Sequence, residues 1–299
     1  MKPLSMKRAV DRFVIALTFC FGLVVSAGLE RPSFAADAES TEPASSSLLT
    51  MVVMDPLAAP LACDCVQGYA NRQYQRLAEA LEARLDTKVQ VHWTESLAKL
   101  REKEPDTRFD LVIGKDSVVV AQGKKLGLGF LPIASLTGKD GKTTQHGLFV
   151  VRAESSVASL IDLEGATIFF GPEECDEKWS APRGLLATLD VKTASDSKVY
   201  GACSEAAKAL MALPDDAMAA AVISSYAAPL LEGCGTINKG DLRIVGQTGD
   251  LPFVTAFVDQ TLPQSRRDEI KQALITLRDK ELLTVLESAK GFKVYDDGQ

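Results

Sequence analysis

The chain has 299 residues, 46% hydrophobic, 24% charged and only 6% aromatic, with a formal net charge of −7. This composition excludes disordered, collagen-like and low-complexity chains, and the length suits one large domain or two lobes. The acidic balance argues against a nucleic-acid partner, since gripping a phosphate backbone needs clustered Lys and Arg.

Residues 1–35 read as a secretory signal peptide. Lys2, Lys7, Arg8 and Arg12 form a basic stretch ahead of the apolar run Phe13 to Leu29, and Ser33 and Ala35 suit a cut after Ala35. The rival reading is a membrane anchor, but the run falls short of the roughly 20 residues that a spanning helix needs. Residues 36–47 then form a linker rich in Ser, Glu and Ala. Cleavage would leave 28 basic and 38 acidic side chains, a net charge of −10, and five of the six cysteines. The expected location is the periplasm, where disulfides persist.

From residue 48, short apolar β-rich runs alternate with amphipathic helical stretches. Leu48 to Met54 is a buried strand. Asn71 to Leu85 sets Tyr74, Leu77, Ala78, Leu81 and Leu85 on one helical face, at spacings of three and four. Val89 to Trp93 is a strand, Ser96 to Lys103 a helix and Phe109 to Ile113 a strand. A helix from about Val118 to Leu126 and a strand from Phe130 to Ala134 complete a first unit. A Gly- and Lys-rich turn at 138–142 leads to the strand 147–151, and the alternation resumes. Strands 166–170, 198–201 and 218–223 interleave with helices 182–189 and 204–213. Strands 242–245 and 253–258 precede a long helix from about Ser265 to Lys280. Such alternation implies βαβ units, and hence α/β lobes with mostly parallel sheets covered on both faces. The expected division is 48–145 plus 255–299 for lobe 1 and 146–254 for lobe 2.

Several stretches together carry a resemblance: Tyr74 to Val91, Phe109 to Ala121, His146 to Ser155, Ser159 to Gly171 and Ser204 to Leu210. In this order and spacing the chain resembles the phosphate/phosphite/phosphonate-type periplasmic substrate-binding proteins of ABC transporters. The resemblance implies a type 2 periplasmic-binding fold, with two α/β lobes closing on a ligand held between strand ends. It also implies a monomeric, non-enzymatic protein whose partners are a small-molecule ligand and transporter membrane subunits. No nucleophile elbow, P-loop or HExxH motif stands against this.

Loops at strand carboxyl ends supply the candidate ligand contacts: Asp55, Tyr69, Lys115, Asp116, Ser117, Ser204, Ser224 and Tyr226, with His146 near the hinge. Where phosphonate-type proteins carry a Ser/Thr-rich turn in the second lobe, this chain has Gly171-Pro172-Glu173-Glu174-Cys175-Asp176-Glu177-Lys178-Trp179-Ser180. Glu173, Glu174 and Asp176 are candidate contacts for a cationic group or metal, and Trp179 for stacking. A cleft lined by four carboxylates is expected to repel phosphonate. The same acids also suit the solvated first turn of a helix, and both readings stay open.

Cys63, Cys65, Cys175 and Cys203 all fall in loops that should face the cleft, with Cys234 farther off. Two disulfides and a spare thiol are one expectation; Cys63 and Cys65 are too close in sequence to bridge each other without strain. A thiolate metal site is the other, although no resident cofactor is expected. The alternative function is a periplasmic accessory, metal-binding or redox protein on the same fold, like those beside quinoprotein dehydrogenases.

Overall fold

The computed structural model describes residues 48–62 and 71–296. The signal peptide, the linker, Tyr69, Cys63 and Cys65 lie outside the described residues.

The chain begins with β1 (Leu48–Met54), α1 (Tyr74–Leu85), β2 (Lys88–Trp93), α2 (Leu97–Lys103), β3 (Leu111–Lys115), α3 (Asp116–Lys125) and β4 (Phe130–Leu136). It then crosses through β5 (Thr144–Gln145) into β6 (Gly147–Arg152), β7 (Thr167–Phe170), α4 (Ser180–Thr188), β8 (Lys198–Val199), α5 (Cys203–Met211), β9 (Ala219–Ser224), α6 (Ala227–Gly233) and β10 (Leu242–Gln247). It returns through β11 (Leu251–Pro252) to β12 (Val254–Asp259), α7 (Gln264–Ile275), α8 (Lys280–Val285) and β13 (Phe292–Val294).

Two sheets result. The first runs β13-β4-β12-β3-β1-β2 and the second β10-β6-β9-β7-β8. The short antiparallel pair β5–β11 carries the chain out of the first sheet and back again. Parallel pairing holds through the βαβ parts, β2-β1-β3 and β9-β7-β8. The strands that follow the crossings, β6 and β12, pair antiparallel with their neighbours, so each sheet is mixed.

The apolar runs explain the layers. Every residue of β1 after Leu48 is buried because helices cover both of its faces. Leu49, Met51 and Val53 pack with Tyr74, Leu77 and Leu81 of α1, while Val52 and Met54 pack with Leu97 and Val119 on the other face. In the second sheet Leu148 and Val150 join Ala206 and Leu210 of α5, whereas Phe149 and Val151 join Leu163 and Leu186. Burying one such side chain is worth about 1.5–3 kcal/mol, and two clusters, one on each face, hold each sheet between its helices.

Two expectations need correction. The sheets are not mostly parallel: among the described residues five of the nine pairings within them are antiparallel, because the strands after each crossing and the last strand run against their neighbours. The second concerns a helix. The single helix expected from Ser265 to Lys280 stops at Ile275, and a second begins at Lys280. Asp279 supplies the break: its side chain accepts from the Leu282 amide at 2.8 Å, the bond of an N-cap, and starts a new helix. No helix among the described residues is long and apolar enough to cross a membrane.

Candidate functional site

The carboxyl ends of β1, β3, β7 and β9 converge where the two sheets face each other, the usual ligand position in open α/β sheets. A cavity of about 720 Å³ lies there. Met54, Pro56, Leu61, Glu95, Lys99, Lys115, Gln122 and Lys125 line it from the first-sheet side, and Pro172, Glu174, Cys175, Lys178, Gly201, Glu205 and Tyr226 from the second. A side chamber of about 190 Å³ adds Cys203 and Ser204.

The turn after β7 folds in a way its composition does not announce. Residues Asp176–Lys178 make one 3-10 turn, which sends Glu173 and Asp176 outward and Glu177 and Lys178 inward. Two glycines permit this. A Cβ on Gly171 would fall 2.6 Å from Lys178 Cβ, and one on Gly147 would fall 1.9 Å from the Glu177 carbonyl oxygen. Any larger residue at either position would push the turn off the sheet.

Glu177 is almost fully buried and forms an ion pair with Lys115 of β3, so the two sheets are joined through it. The same carboxylate accepts from Ser224 Oγ at 2.5 Å and from Gln145 Nε2 at 3.5 Å. Burial opposes both charges, but each is held by the other. Lys115 beside it keeps the Glu177 carboxyl below the usual range, and Glu177 keeps the Lys115 ammonium above its own. The contribution of this bridge to stability is therefore complete between the ordinary values of 4.5 for Glu and 10.5 for Lys. It should fall as the pH drops below the first or rises past the second. The difference in thermal stability between the natural protein and Lys115→Met/Glu177→Leu should accordingly be constant across that window and change on either side.

A second set of contacts closes the same side. Ser117 Oγ donates to the Glu174 carbonyl at 2.8 Å and accepts from the Asp176 amide at 3.3 Å. The Glu174 carboxylate accepts from Gln122 at 3.1 Å and pairs with Lys125 at 3.5 Å. Lys178 is different. Its ammonium is buried, it lines both cavities, and the contact recorded for it is the Gly201 carbonyl at 3.4 Å.

The remaining candidates separate clearly. Lys115, Ser117, Glu174, Ser224 and Tyr226 come together at the cleft, and Ser204 lines the side chamber. Asp116 opens α3 beside them; burial raises its carboxyl above the usual range, with Asp176 adding to the effect. His146 sits at the crossing, its ring Nδ1 3.4 Å from Asp250. Asp55 is no ligand contact: it is fully buried and taken up by Arg72 at 2.8 Å, the Tyr74 hydroxyl at 2.5 Å and the Leu57 amide at 2.9 Å. Trp179 is packed edge-on against Phe170 with Arg183 stacked 3.8 Å over its ring, and it lines neither chamber of the cleft. Glu173 is exposed and Asp176 accepts from Ser180 at 2.8 Å, so neither makes the cavity acidic. Of the four acids in the run, Glu174 alone lines the main cavity, beside Lys178 of the same run.

The residues missed by sequence are Glu177, Lys178, Lys99, Lys125, Gln122, Gln145, Glu95 and Glu205. Nothing in a run of four acids marks which one turns inward. The cysteine expectations run partly through Cys63 and Cys65, which lie outside the described residues. Cys175, Cys203 and Cys234 carry free thiols, and no cluster of three or more metal-ligating side chains forms among the described residues. Burial pushes the Cys175 thiol up despite the neighbouring Lys115 and Lys178. Cys203 accepts the Ser224 amide at 3.4 Å.

Two lobes joined by paired crossing strands, with a cavity between their strand ends, define a periplasmic binding protein of the two-lobed class. Residues 67–299 match the family of ABC transporter, phosphonate, periplasmic substrate-binding proteins, and the chain belongs to it. The family works with transporter membrane components and acts in the periplasm. No curated protein matches the chain. Among solved structures it is similar to XAC2383 from Xanthomonas citri bound to chloride ion, at 17% identity and TM-score 0.61, over 84% of this chain and 92% of that one. It is also similar to a binding protein component of an ABC phosphonate transporter from Pseudomonas aeruginosa, at 12% identity and TM-score 0.60, over 85% and 83%. PhnD1 from Prochlorococcus marinus in complex with methylphosphonate aligns at 16% identity and TM-score 0.58, over 85% and 94%. At these identities the likeness is one of fold.

Proposed function

We propose that the chain binds a small neutral or zwitterionic solute between its lobes and presents it to the membrane subunits of an ABC transporter, as a monomer and without catalysis. The carrying observation is the charge distribution around the 720 Å³ cavity. Lys115 is spent on Glu177 and Lys125 on Glu174, which leaves Lys99 and Lys178 in the lining together with Glu95 and Glu205. Such a balanced lining offers donors to one end of a solute and acceptors to the other. A dianion such as a phosphonate would instead need an excess of positive donors. Closure follows if the bound solute makes contacts to both walls that the open form lacks.

Lys178 is the donor with the least competition, and its stem is seated over Gly171. Lys178→Met keeps that stem and removes the ammonium. A lost hydrogen bond to a charged group is worth about 1.5–3 kcal/mol, which is roughly 10- to 100-fold in affinity. Calorimetric titration with a panel of amino acids, betaines and polyols, beside phosphate and methylphosphonate, tests the reading. Binding of at least one neutral or zwitterionic compound, weakened by that factor in Lys178→Met, is the expected result. Tight binding of phosphate or methylphosphonate by the natural protein would contradict it.

A further inference from the structure

We propose that Glu177 determines the specificity of this cleft: its carboxylate fills an oxyanion site built by Lys115, Gln145 and Ser224, and removing it would open that site to a tetrahedral oxyanion. The three donors belong to three separate elements. Lys115 ends β3 in the first sheet, Gln145 ends β5 in the crossing, and Ser224 ends β9 in the second sheet. All three point at one carboxylate, with Lys115 and Ser224 sharing Oε1 and Gln145 on Oε2. A ligand anion gripped from both lobes and the crossing would be held by such a set. Here the anion belongs to the chain itself.

The position of that carboxylate is built in. The Glu177 carbonyl lies where a Cβ on Gly147 would stand, so the turn is seated directly on the start of β6. Both Glu177 and Ser224 are buried, and Lys115 borders the main cavity. Shortening the side chain would therefore create a pocket continuous with the cavity, holding an unpaired ammonium, a hydroxyl and a carboxamide. A charge-assisted contact to phosphate would replace the lost pair. With Glu177 in place, an incoming oxyanion meets a carboxylate where it needs donors and is refused.

The proposal rests on the solute-binding reading only for the location of the cleft, and its probes are independent of the natural solute. Titrate inorganic phosphate and methylphosphonate into the natural protein, Glu177→Ala, Glu177→Gln and the double variant Lys115→Met/Glu177→Ala, and follow thermal unfolding with and without phosphate. Glu177→Ala should bind phosphate at least about 100-fold more tightly than the natural protein and unfold at a higher temperature in its presence. Glu177→Gln, which refills the site, and the double variant, which lacks the cation, should show no gain. Equal phosphate affinity in Glu177→Ala and the natural protein would overturn the proposal, as would an equal gain in the double variant. If Glu177→Ala folds poorly, phosphate should recover it; failure to do so while the double variant folds also overturns the proposal. The solute-binding reading fails by a different result, the absence of any bound neutral or zwitterionic compound in the natural protein.

Discussion

Lys115→Met should destabilise the folded chain by about 3–5 kcal/mol, the usual cost of stranding one partner of a buried ion pair. Glu177 would keep its hydrogen bonds from Ser224 and Gln145 but lose the charge that holds its carboxyl below the ordinary range. Burial would then push its carboxyl upward, toward the protonated form, or draw water into the seam. Because Lys115 and Glu177 sit on opposite sides of the cleft, the loss should also loosen the lobes. Denaturant unfolding measures the first effect and small-angle scattering the second. The double variant Lys115→Met/Glu177→Leu should recover most of the stability, since an apolar pair of similar volume often replaces a buried ion pair at no cost. If Lys115→Met were as stable as the natural protein, the bridge would not be holding the lobes.

Asp55→Ala should cost a similar amount, about 3–5 kcal/mol, for a related reason. The Asp55 carboxylate neutralises Arg72, which is itself buried, and accepts from the Tyr74 hydroxyl. Burial works against the Arg72 charge, and Asp55 is what keeps the guanidinium's pKa raised. The damage should reach the cleft. Arg72 lies 5.6 Å over the Phe253 ring, and Phe253 stacks at 4.8 Å on Tyr226, which lines the cavity. Asp55→Asn keeps the shape and one acceptor, so it should lose less stability than Asp55→Ala in the same unfolding assay. Equal losses would mean that the charge, which both variants remove, carries the whole effect, whereas an Asp55→Asn as stable as the natural protein would mean that the charge on Asp55 carries nothing.

The two-lobed fold was legible because its signals are long and local. The apolar run of β1, the three-four spacing of Tyr74, Leu77, Ala78 and Leu81, and the repeated strand-helix alternation each survive without knowledge of the rest of the chain. The failure at Thr276 to Asp279 was a matter of capping: an Asp four residues past Ile275 reads as helix by composition and as a new N-cap only in context. The site was legible by loop and obscure by residue. Lys115, Ser117, Ser224 and Tyr226 follow from the rule that ligands sit at strand carboxyl ends. Asp55 obeys the same rule and yet turns into the core, because Arg72 and Tyr74, 17 and 19 residues on, claim it. In the acidic turn the decisive fact is a backbone one, the 3-10 turn seated against Gly147 and Gly171. That geometry sends Glu177 rather than Glu173 inward, and it reverses the inference from composition: most of the acids are neutralised or face solvent.

The central claim is that the cleft holds a solute of balanced charge and rejects oxyanions. Native mass spectrometry of the protein purified from the periplasm of its own host tests it most directly. The predicted spectrum has one small neutral or zwitterionic organic compound per chain, lost in Lys178→Met. A spectrum with phosphate, a phosphonate or a metal ion in the cleft would contradict it.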